Sequence, residues 1–475
     1  MAGVDIDCPL FVDLDGTLIK TDLLHEGILK LVKISPLTIF LLPLWLLRGK
    51  AYLKYKIAQI AEPDFSLLPR NEDFIDFLKH QKQSGRSIYL ATASNKKYAE
   101  KVAANFALFD GVIASDRETN LKGKVKAKQC QAIANEFSYA GNDVSDFEIF
   151  KLAKESYLIN PSSKALKRSL TEPVKKIWQD SKPGPYIWVK ALRLSQWLKN
   201  LLIFVPLFVS HAYINLENIV LALLGFIAFG LLASSTYIFN DLLDLDSDRT
   251  HPRKCKRPFA CGELQIKVGA FAILILFLAA LSLVHFTPRG FQLALACYLL
   301  ITLSYSLLLK QYVIIDVLAL ASLYTIRIIA GTLLLGVELS FWLLAFSMFI
   351  FLSLALLKRC TEMKLLFESD IISTSGRDYY RDDYALIQTI GVASAFMAVL
   401  VLALFIQSTY EGDIYRSPML LWPIFPAFIY WICRMWLKMN RNEMTDDPIV
   451  FSITDKGSRI TVLFICIIVI TAKML

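Results

Sequence analysis

The stretch that decides the fold of the first part of the chain is Cys8-Pro-Leu-Phe-Val-Asp13-Leu-Asp15-Gly16-Thr17-Leu18. Its apolar run predicts a short buried strand, and the two carboxylates spaced i, i+2 then lie at the end of that strand. There Asp13 and the backbone carbonyl of Leu14 or Asp15 can approach one metal ion, while Asp15 reaches a substrate from just beyond it. The stretch therefore predicts a carboxylate nucleophile next to an acid/base group.

Three more patterns follow in order before residue 154. They are Ser87-Ile-Tyr-Leu-Ala-Thr92-Ala-Ser94, Leu121-Lys-Gly-Lys124-Val-Lys126 and Tyr139-Ala-Gly141-Asn142-Asp143-Val-Ser-Asp146. Together with the first stretch they resemble the four motifs of the haloacid dehalogenase superfamily. The resemblance implies an α/β Rossmann-like domain over residues 1–160, with a helical cap at about residues 22–85.

The same resemblance implies a phosphatase mechanism. Asp13 would attack phosphorus, Asp15 would protonate the leaving oxygen, Thr92 would bind phosphate, and water would hydrolyse the aspartyl phosphate. Lys126, preferred to Lys124 because of its spacing from Gly123, would neutralise the phosphoryl group.

The implied cofactor is Mg²⁺. Its expected ligands are Asp13, Asp15, Asn142, Asp143 and Asp146. Asn142 departs from the superfamily, which most often has an acid at this position, although an amide oxygen is still a ligand. The alternative is a non-catalytic docking or regulatory domain, because superfamily folds persist without activity.

An apolar segment between Ile28 and Leu47 occupies the place of the cap. Its most apolar part, Leu37 to Leu47, is too short to span a bilayer, and Pro36 and Pro43 interrupt the helical pattern. The segment predicts an interfacial or membrane-facing cap, and a buried cap helix is the alternative.

The second half of the chain is far more apolar than the first. Apolar residues make up 55% of the chain, and the mean hydropathy is +0.48. Nine blocks with membrane-spanning length lie at about 198–213, 219–239, 268–286, 291–309, 313–335, 341–357, 387–407, 418–437 and 459–474. They predict an all-α transmembrane domain of about nine helices over residues 188–475, after a basic linker at residues 161–187. That linker is either a surface-hugging connector or an ordinary solvated helix and loop.

Charge is distributed unequally between the loops of the predicted bundle. If the first block begins in the cytosol, the loops on that side carry nearly all the lysines and arginines, and the opposite loops carry only Arg289 and Arg416. This asymmetry predicts a multi-pass protein of the cytoplasmic membrane with its N-terminal domain in the cytosol. We also expect no cleaved signal peptide, because the start is acidic and has no apolar core.

The net charge of +9 suits anionic lipid and phosphate ligands. A nucleic-acid partner is not expected, because the soluble part has no basic stripe interleaved with aromatic residues. The eight cysteines are scattered without CxxC pairs, which argues against disulfides and zinc. The sequence does not predict the oligomeric state.

Carboxylates cluster after the second block, in Tyr237-Ile-Phe-Asn240-Asp241-Leu-Leu-Asp244-Leu-Asp246-Ser-Asp248-Arg249. Asn240, Asp241, Asp244 and Asp248 fall on one helical face, where the carboxylates repel one another unless they share Mg²⁺. Bound Mg²⁺ in turn favours a diphosphate. The basic stretch His251-Pro-Arg253-Lys254-Cys-Lys256-Arg257-Pro258-Phe-Ala-Cys-Gly262 adds donors for phosphate oxygens. The alternative is a solvated charged loop beside the membrane.

The two stretches resemble the NDxxDxxxD and KxxRPxxxG signatures of UbiA-type intramembrane transferases. The resemblance implies that Asp241 and Asp244 are catalytic and that both bind the metal together with Asp248. The implied diphosphate-binding residues are Asn240, Arg249, Lys254, Lys256 and Arg257.

A second group of candidate substrate-binding residues lies outside that loop. It consists of Lys199, Tyr324, Arg327, Arg377, Tyr380, Arg381 and Tyr384. Arg327 lies in the middle of an apolar block, where a charge is costly unless it faces a polar cavity or ligand. Asp316, nearly three turns away, is a poor partner for it. Tyr380, Arg381 and Tyr384 are equally consistent with a helix-capping cluster.

Three segments are more similar to the decaprenyl-phosphate phosphoribosyltransferase branch than to other UbiA-type transferases. They are Arg193-Leu-Ser-Gln196-Trp-Leu-Lys199-Asn200, the run from Asp316 to Gly331, and Lys358-Arg359-Cys-Thr-Glu362. The resemblance implies phosphoribosyl diphosphate and a polyprenyl phosphate as substrates, with the N-terminal domain removing the 5-phosphate of the product. The alternative is transfer of a prenyl group from prenyl diphosphate to an aromatic or other acceptor, with a phosphatase that acts elsewhere.

Overall fold

The computed structural model describes residues 8–172, 174–180, 184–367, 378–408, 417–444 and 447–474. The chain forms two compact units, Met1–Leu192 with Ile238–Ala272, and Arg193–Tyr237 with Ile273–Leu475. Each domain predicted from the sequence is one continuous segment of the chain. In the folded chain, by contrast, Ile238–Ala272, which carries the carboxylate cluster, packs with the N-terminal domain.

The first unit is built on a six-stranded parallel sheet. Its strands are β1 Leu10–Val12, β2 Ile88–Asn95, β3 Gly111–Ser115, β4 Ser138–Gly141, β5 Glu155–Ile159 and β6 Lys176–Trp178. The strand order is β3-β2-β1-β4-β5-β6. Because the order reverses direction at β1, the carboxyl ends of β1 and its neighbours border the crevice where such sheets place their sites. The predicted α/β Rossmann-like fold is confirmed.

Nine α-helices are described up to Ala191. They are α1 Leu23–Ile34, α2 Leu42–Leu47, α3 Lys50–Ile60, α4 Glu72–Gln83, α5 Lys96–Phe106, α6 Lys124–Ile133, α7 Phe147–Phe150, α8 Ser163–Arg168 and α9 Pro185–Ala191. Several of them cover the two faces of the sheet. Phe74 of α4 and Val102 of α5 pack into one core layer, and Cys130 of α6 and Phe147 of α7 pack into the other. Burial on both faces explains why the central strands are continuous apolar runs.

The helical cap consists of α1, α2 and α3, which share a small apolar core of their own. It is shorter than the predicted range of about 22–85, because α4 contributes to the core of the sheet instead. The predicted linker at 161–187 also differs from the structure in part. It contains α8 and also β6, which pairs with β5 and extends the sheet.

The remaining helices are mostly long and apolar. They are α10 Val205–Val209, α11 Leu216–Leu243, α12 Leu245–Thr250, α13 Ile266–Val284, α14 Arg289–Leu307, α15 Ile315–Leu335, α16 Phe341–Phe367, α17 Tyr384–Ser408, α18 Ile424–Asn440, α19 Pro448–Thr454 and α20 Lys456–Met474. Within the described residues, eight helices are long and apolar enough to cross a membrane, or nine if a bent pair at 185–209 counts as one span. The chain is a multi-pass integral membrane protein, as predicted.

The first predicted block, at 198–213, is the one that differs from a straight helix. A 3-10 helix, Leu194–Phe204, is followed by the short α10. Pro206 lies in the first turn of α10, where its missing N–H costs nothing, but it cannot continue a helix from the preceding residues. The break leaves Lys199 and Asn200 buried at the level of the 3-10 helix.

The core of the second unit is organised around α15. One apolar cluster joins α15 to α16, α17 and α18, and another joins it to α11 and α14. This helix therefore has few positions open to lipid, and a polar side chain on it faces protein. Tyr324 and Arg327 of α15 are both buried.

Candidate functional site

The first candidate site lies at the carboxyl ends of β1, β2 and β4. The Nζ of Lys126 donates to Oδ1 of Asp13 at 2.9 Å and lies 3.9 Å from Oδ1 of Asp146. It also contacts the hydroxyl of Tyr139 at 2.9 Å. Burial alone would lower the pKa of Lys126, but the carboxylates of Asp13 and Asp146 outweigh it and raise that pKa. The structure thus brings Lys126 to Asp13, whereas Lys124 is exposed.

Asp15 occupies a separate position on the same edge. Its Oδ1 accepts a hydrogen bond from the backbone N–H of Leu23 at 2.9 Å, and its Oδ2 accepts one from the hydroxyl of Ser94 at 2.6 Å. Burial, followed by the charge of Asp22, raises the pKa of Asp15 to about 7. A carboxyl that binds a proton near neutral pH is suited to protonate a leaving group.

The turn after Asp15 explains the glycine of the first stretch and locates Asn142. Gly16 has φ +76°, and a Cβ at this position would lie 2.0 Å from Nδ2 of Asn142. The side chain of Asn142 therefore packs directly on the turn that follows the two aspartates.

Asp146 organises the loop after β4. Its Oδ2 accepts hydrogen bonds from the backbone N–H groups of Asn142 and Asp143, each at 3.0 Å. Burial and the charge of Asp13 raise the pKa of Asp146 to about 6, against the effect of Lys126. The predicted residues Asp13, Lys126, Asn142 and Asp146 thus meet around one edge of the sheet, with Asp15 and Asp143 beside them.

The cap contributes a lysine that the sequence motifs did not reveal. The Nζ of Lys54, on α3, donates to the carbonyl oxygen of Ala93 at 2.5 Å and to Oδ1 of Asn120 at 3.2 Å. Burial lowers the pKa of Lys54, while the carboxylates of Asp15 and Asp22 oppose that effect. A cation of the cap therefore lies next to the strand end that carries Thr92 and Ser94. No spacing distinguishes Lys54 from Lys50 and Lys56 in the sequence.

The second candidate site is formed by the carboxylates at the end of α11 and in α12. Nη1 of Arg257 donates to Oδ1 of Asp241 at 3.0 Å and to Oδ2 of Asp248 at 2.6 Å. Nδ2 of Asn240 donates to Oδ2 of Asp244 at 3.1 Å. Burial raises the pKa of Asp248, and Arg257 opposes it. The expected single helical face is divided, because α11 ends at Leu243 and α12 begins at Leu245, but one guanidinium still bridges Asp241 and Asp248.

The other predicted diphosphate-binding cations have different surroundings. Arg249 forms a buried two-point ion pair with Glu26 of α1, with Nη2 to Oε1 at 2.6 Å and Nη1 to Oε2 at 3.2 Å. Lys254 is half-buried and acts electrostatically on Asp248, whereas Lys256 is exposed. Glu26 was not predicted, because nothing in a single helix indicates a partner more than 200 residues away.

A third polar group is buried in the second unit. The Nζ of Lys199 donates to Oδ2 of Asp447 at 2.5 Å and lies 5.5 Å from the ring centre of Tyr324. The Nε of Arg327 donates to Oδ1 of Asn200 at 2.9 Å, and Nδ2 of Asn200 is buried with no hydrogen-bond partner among the described residues. The ring of Tyr324 lies beneath both Lys199 and Arg327. The structure thus brings Lys199, Tyr324 and Arg327 together, with Asn200 beside Arg327.

The sequence analysis expected Asp316 to be a poor partner for Arg327, and Asp316 indeed has other partners. Its Oδ2 accepts from Nε of Arg359 at 2.6 Å, and its Oδ1 accepts from the hydroxyl of Tyr379 at 2.6 Å. Arg359 also pairs with Glu362. This buried network satisfies a carboxylate and a guanidinium within the apolar half of the chain.

The last predicted group lies at the start of α17. Tyr380 is exposed and precedes a capped 3-10 turn that begins at Arg381, which agrees with the capping alternative. The hydroxyl of Tyr384 donates to Oδ1 of Asn440 at 3.1 Å. Arg377 lies outside the described residues, so its predicted role stays a prediction.

Comparison with known proteins identifies the second half. The UbiA prenyltransferase family matches residues 201–453, which is more than half of the chain. The chain belongs to the UbiA prenyltransferase family.

Two curated relatives are informative. The uncharacterized protein y4nM of Sinorhizobium fredii is 34% identical over 468 residues, which cover 96% of this chain and 90% of that protein. Decaprenyl-phosphate phosphoribosyltransferase of Mycobacterium tuberculosis is 29% identical over 240 residues, which cover 49% of this chain and 78% of that protein. The first relative therefore spans both halves of this UbiA-family chain.

Solved structures also match each half. A UbiA homolog from Archaeoglobus fulgidus bound to GPP and Mg²⁺ aligns over 59% of this chain and 99% of its own, with 16% identity and a TM-score of 0.44. A HAD family hydrolase from Salmonella enterica serovar Typhi aligns over 37% of this chain and 68% of its own, with 11% identity and a TM-score of 0.28.

Both carboxylate sites offer the hard oxygen ligands that Mg²⁺ prefers. In the N-terminal site, Asp13 and Asp146 are close enough for the charge of one to raise the pKa of the other. In the UbiA site, Asp241 and Asp248 share one guanidinium. In both cases a cation relieves the repulsion between buried carboxylates. Among the described residues, no three acidic, histidine or cysteine side chains are already arranged to hold a metal ion.

Proposed function

We propose that the chain transfers phosphoribosyl from phosphoribosyl diphosphate to a polyprenyl phosphate, and that its N-terminal domain then removes the 5-phosphate of the product. The observation that carries this proposal is the position of α1. The N-terminus of α1 donates to Asp15 of the phosphatase site, and its Glu26 holds Arg249, the neighbour of Asp248 in the UbiA site. One twelve-residue helix thus connects the two carboxylate sites.

The choice of donor and acceptor is supported by the relatives. The M. tuberculosis relative is named for phosphoribosyl transfer to decaprenyl phosphate, and y4nM, which covers both halves of this chain, shows that the two domains recur together. Covalent linkage raises the effective concentration of one site's product at the other.

In the transfer step, an ionised phosphate oxygen of the lipid forms a bond to C1 of the ribose, and the bond from C1 to the diphosphate breaks. The attacking oxygen needs no general base because it is already charged. Asp241, Asp244 and Asp248 would hold Mg²⁺, which stabilises the charge of the leaving diphosphate. Asn240, Arg249, Lys254, Lys256 and Arg257 stay our candidates for contact with the diphosphate, and Arg257 is nearest to the carboxylates.

In the hydrolytic step, a carboxylate oxygen of Asp13 attacks the 5-phosphate and the ester oxygen leaves with the proton of Asp15. Water then attacks the aspartyl phosphate, and Asp15 accepts its proton while inorganic phosphate is released. Lys126 offsets the phosphoryl charge, and the hydroxyl of Thr92 binds the phosphate. Mg²⁺ held near Asp13 and Asp146 would add to the effect of Lys126, with Asn142, Asp143 and Asp15 as the other proposed ligands.

The phosphate of the lipid acceptor is assigned to the polar group in the second unit. Lys199, Tyr324 and Arg327 are buried there, and the unpartnered amide of Asn200 has a free donor. A buried amide without a partner is costly unless a ligand satisfies it. Arg377, Tyr380, Arg381 and Tyr384 are proposed as further contacts, and both active sites are proposed to face the cytosol because of the charge of the loops.

The donor is tested with purified full-length protein in lipid vesicles containing Mg²⁺ and a polyprenyl phosphate. Phosphoribosyl diphosphate and a prenyl diphosphate with an aromatic acid are supplied in separate reactions, and the lipid products are identified by mass. We expect a lipid-linked pentose only in the first reaction. Prenylation of the aromatic acid, without any lipid-linked pentose, would contradict the proposal.

Aromatic prenylation is the second candidate because the family as a whole is described by prenyl transfer. In that case the N-terminal domain would act on another phosphate or serve as a non-catalytic module. The two donors in the same experiment distinguish these candidates directly.

A further inference from the structure

The cap carries an apolar surface that the protein itself leaves uncovered. We call residues 36–47, the 3-10 helix Pro36–Leu41 and α2, the apolar lobe. None of these twelve residues is buried. Leu37, Phe40, Leu44 and Leu47 are 77%, 74%, 58% and 85% exposed, respectively. Their spacing of three, four and three residues places them along one side of the lobe.

The other side of the lobe is packed. Leu42 and Trp45 contact the small core that α1 and α3 form with Leu31, Leu53 and Ile57. The packing of Leu42 and Trp45 therefore holds the lobe in place, so that its other side chains point outward. The predicted alternative of a buried cap helix is wrong for this segment, because its outer side has no protein cover among the described residues.

The position of α1 indicates what covers the lobe. This helix leads directly into the lobe, and its Lys30 donates to Oδ2 of Asp246 at 2.9 Å. Leu29 and Lys33 line a groove together with Leu242 and Leu243, the last residues of the membrane-spanning α11. These residues all belong to the first unit. The helix that leads into the lobe thus lies beside the end of α11, a helix long and apolar enough to cross a membrane.

Charge around the lobe suits an anionic lipid surface. Lys33, Arg48 and Lys50 are exposed at its two ends, and no aspartate or glutamate occurs from Gly27 to Ala61. Apolar residues flanked by lysine and arginine are typical of segments that lie in the interface, with their cations at the level of the headgroups. A surface that binds a soluble protein has no need for this complete exclusion of acidic residues.

We propose that the apolar lobe inserts into the bilayer that the same chain spans, and that this insertion presents the phosphatase site to a phosphate carried by a membrane lipid. The second part rests on the proposed function, whereas the insertion does not. Lys54 connects the lobe to the phosphatase site. Its helix, α3, packs on the lobe at one side, and the ammonium group of Lys54 donates to the Ala93 carbonyl at the other. The inserted cap thus fixes a cation at the edge of the phosphatase site.

Insertion is tested by photo-crosslinking in the full-length protein. A benzophenone amino acid replaces Phe40 in one variant and Leu170 in another, and both are reconstituted in phosphatidylcholine vesicles with phosphatidylglycerol. Leu170 is a matched control because it is an apolar residue of the first unit that is 85% exposed. We expect lipid adducts at position 40 and none at position 170. Adducts only to a second copy of the chain, or no lipid adduct at position 40, would overturn the proposal.

The consequence for substrate choice is tested with the variant Leu37→Ser/Phe40→Ser. Phosphate release from a polyprenyl-phosphoryl ribose 5-phosphate in vesicles should fall by about tenfold, because loss of apolar anchoring area weakens interfacial binding. Release from a water-soluble aryl phosphate should stay within about twofold, which also shows that the variant is folded, and Leu170→Ser should change neither rate. An equal loss on both substrates, or no loss on the lipid, would refute the second part. If the wild type hydrolyses neither substrate, the proposed phosphatase function fails, and the crosslinking result still decides insertion.

Discussion

Each of the two carboxylate sites of the first unit holds a cation beside buried carboxylates, but the two cations are positioned differently. In the N-terminal site, Lys126 lies against Asp13, which is 113 residues away in sequence, and its side chain is almost completely buried. In the UbiA site, Arg257 bridges Asp241 and Asp248, which are 16 and 9 residues away, and its side chain is 27% exposed. One cation is fixed by the sheet, and the other belongs to a loop.

The difference indicates how each cation acts when substrate binds. Lys126 is buried between Asp13 and Asp146, and its departure would leave buried charges unpaired, so it is a permanent part of the site. Arg257 is held by two hydrogen bonds at a partly exposed position, so it can move from the carboxylates to a phosphate oxygen once Mg²⁺ offsets their charge. We therefore expect the N-terminal site to be preformed and the UbiA site to rearrange when the proposed diphosphate and metal bind.

The largest effect is expected from Asp13→Asn. Loss of the nucleophile should reduce phosphate release by about 10⁴-fold or more, the scale found when a covalent nucleophile is removed. Lipid-linked pentose should form at the wild-type rate, because the UbiA carboxylates are untouched. Phosphate assay and lipid mass analysis on the same sample measure both. Unchanged phosphate release would show that the N-terminal domain is a non-catalytic module.

Asp241→Asn tests the other half of the comparison. Loss of one metal-binding charge should slow transfer by about 10³-fold, corresponding to several kcal/mol of transition-state stabilisation. Hydrolysis of a soluble phosphate by Asp13 should be unaffected, which provides the internal control. If transfer is unchanged, the carboxylates of this loop do not hold the leaving diphosphate.

The link between the sites is tested with Glu26→Gln. Arg249 then loses its buried counter-charge, and we expect the free energy of unfolding of the first unit to fall by about 3 kcal/mol. Asp76→Asn, which breaks the exposed pair of Asp76 with Lys79, is the control and should change it by less than about 0.5 kcal/mol. Thermal unfolding in detergent compares the two, and equal effects would remove Glu26 as a structural link.

Ser94→Ala should have the smallest effect. Its hydroxyl donates to Oδ2 of Asp15 at 2.6 Å and so positions that carboxyl group. Loss of one hydrogen bond to a charged group corresponds to about a tenfold change in rate. The expected loss is in kcat for phosphate release, with little change in KM, because Ser94 acts through Asp15. Ser84→Ala, at the exposed end of α4, is the control, and a loss confined to KM would indicate direct contact with substrate instead.

The sequence predicted what short-range patterns determine. The strand ending at Asp13, the proximity of Asp241 and Asp248, and the spans of the membrane half follow from spacing and hydropathy. Lys126 was indicated by the resemblance to the haloacid dehalogenase motifs. The sequence did not reveal Glu26 or Lys54, because their partners are brought close only by the packing of α1 and α3. The broken first span was also missed, since its apolar composition conceals the effect of Pro206.

The central claim is that the two sites act in sequence on one lipid. The most direct measurement supplies wild type and Asp13→Asn, each in vesicles with Mg²⁺, polyprenyl phosphate and phosphoribosyl diphosphate, and follows the masses of the lipid products over time. The wild type should accumulate a lipid-linked ribose without its 5-phosphate, and Asp13→Asn should accumulate the same lipid with that phosphate retained. A phosphorylated product that persists equally in both proteins would contradict the claim.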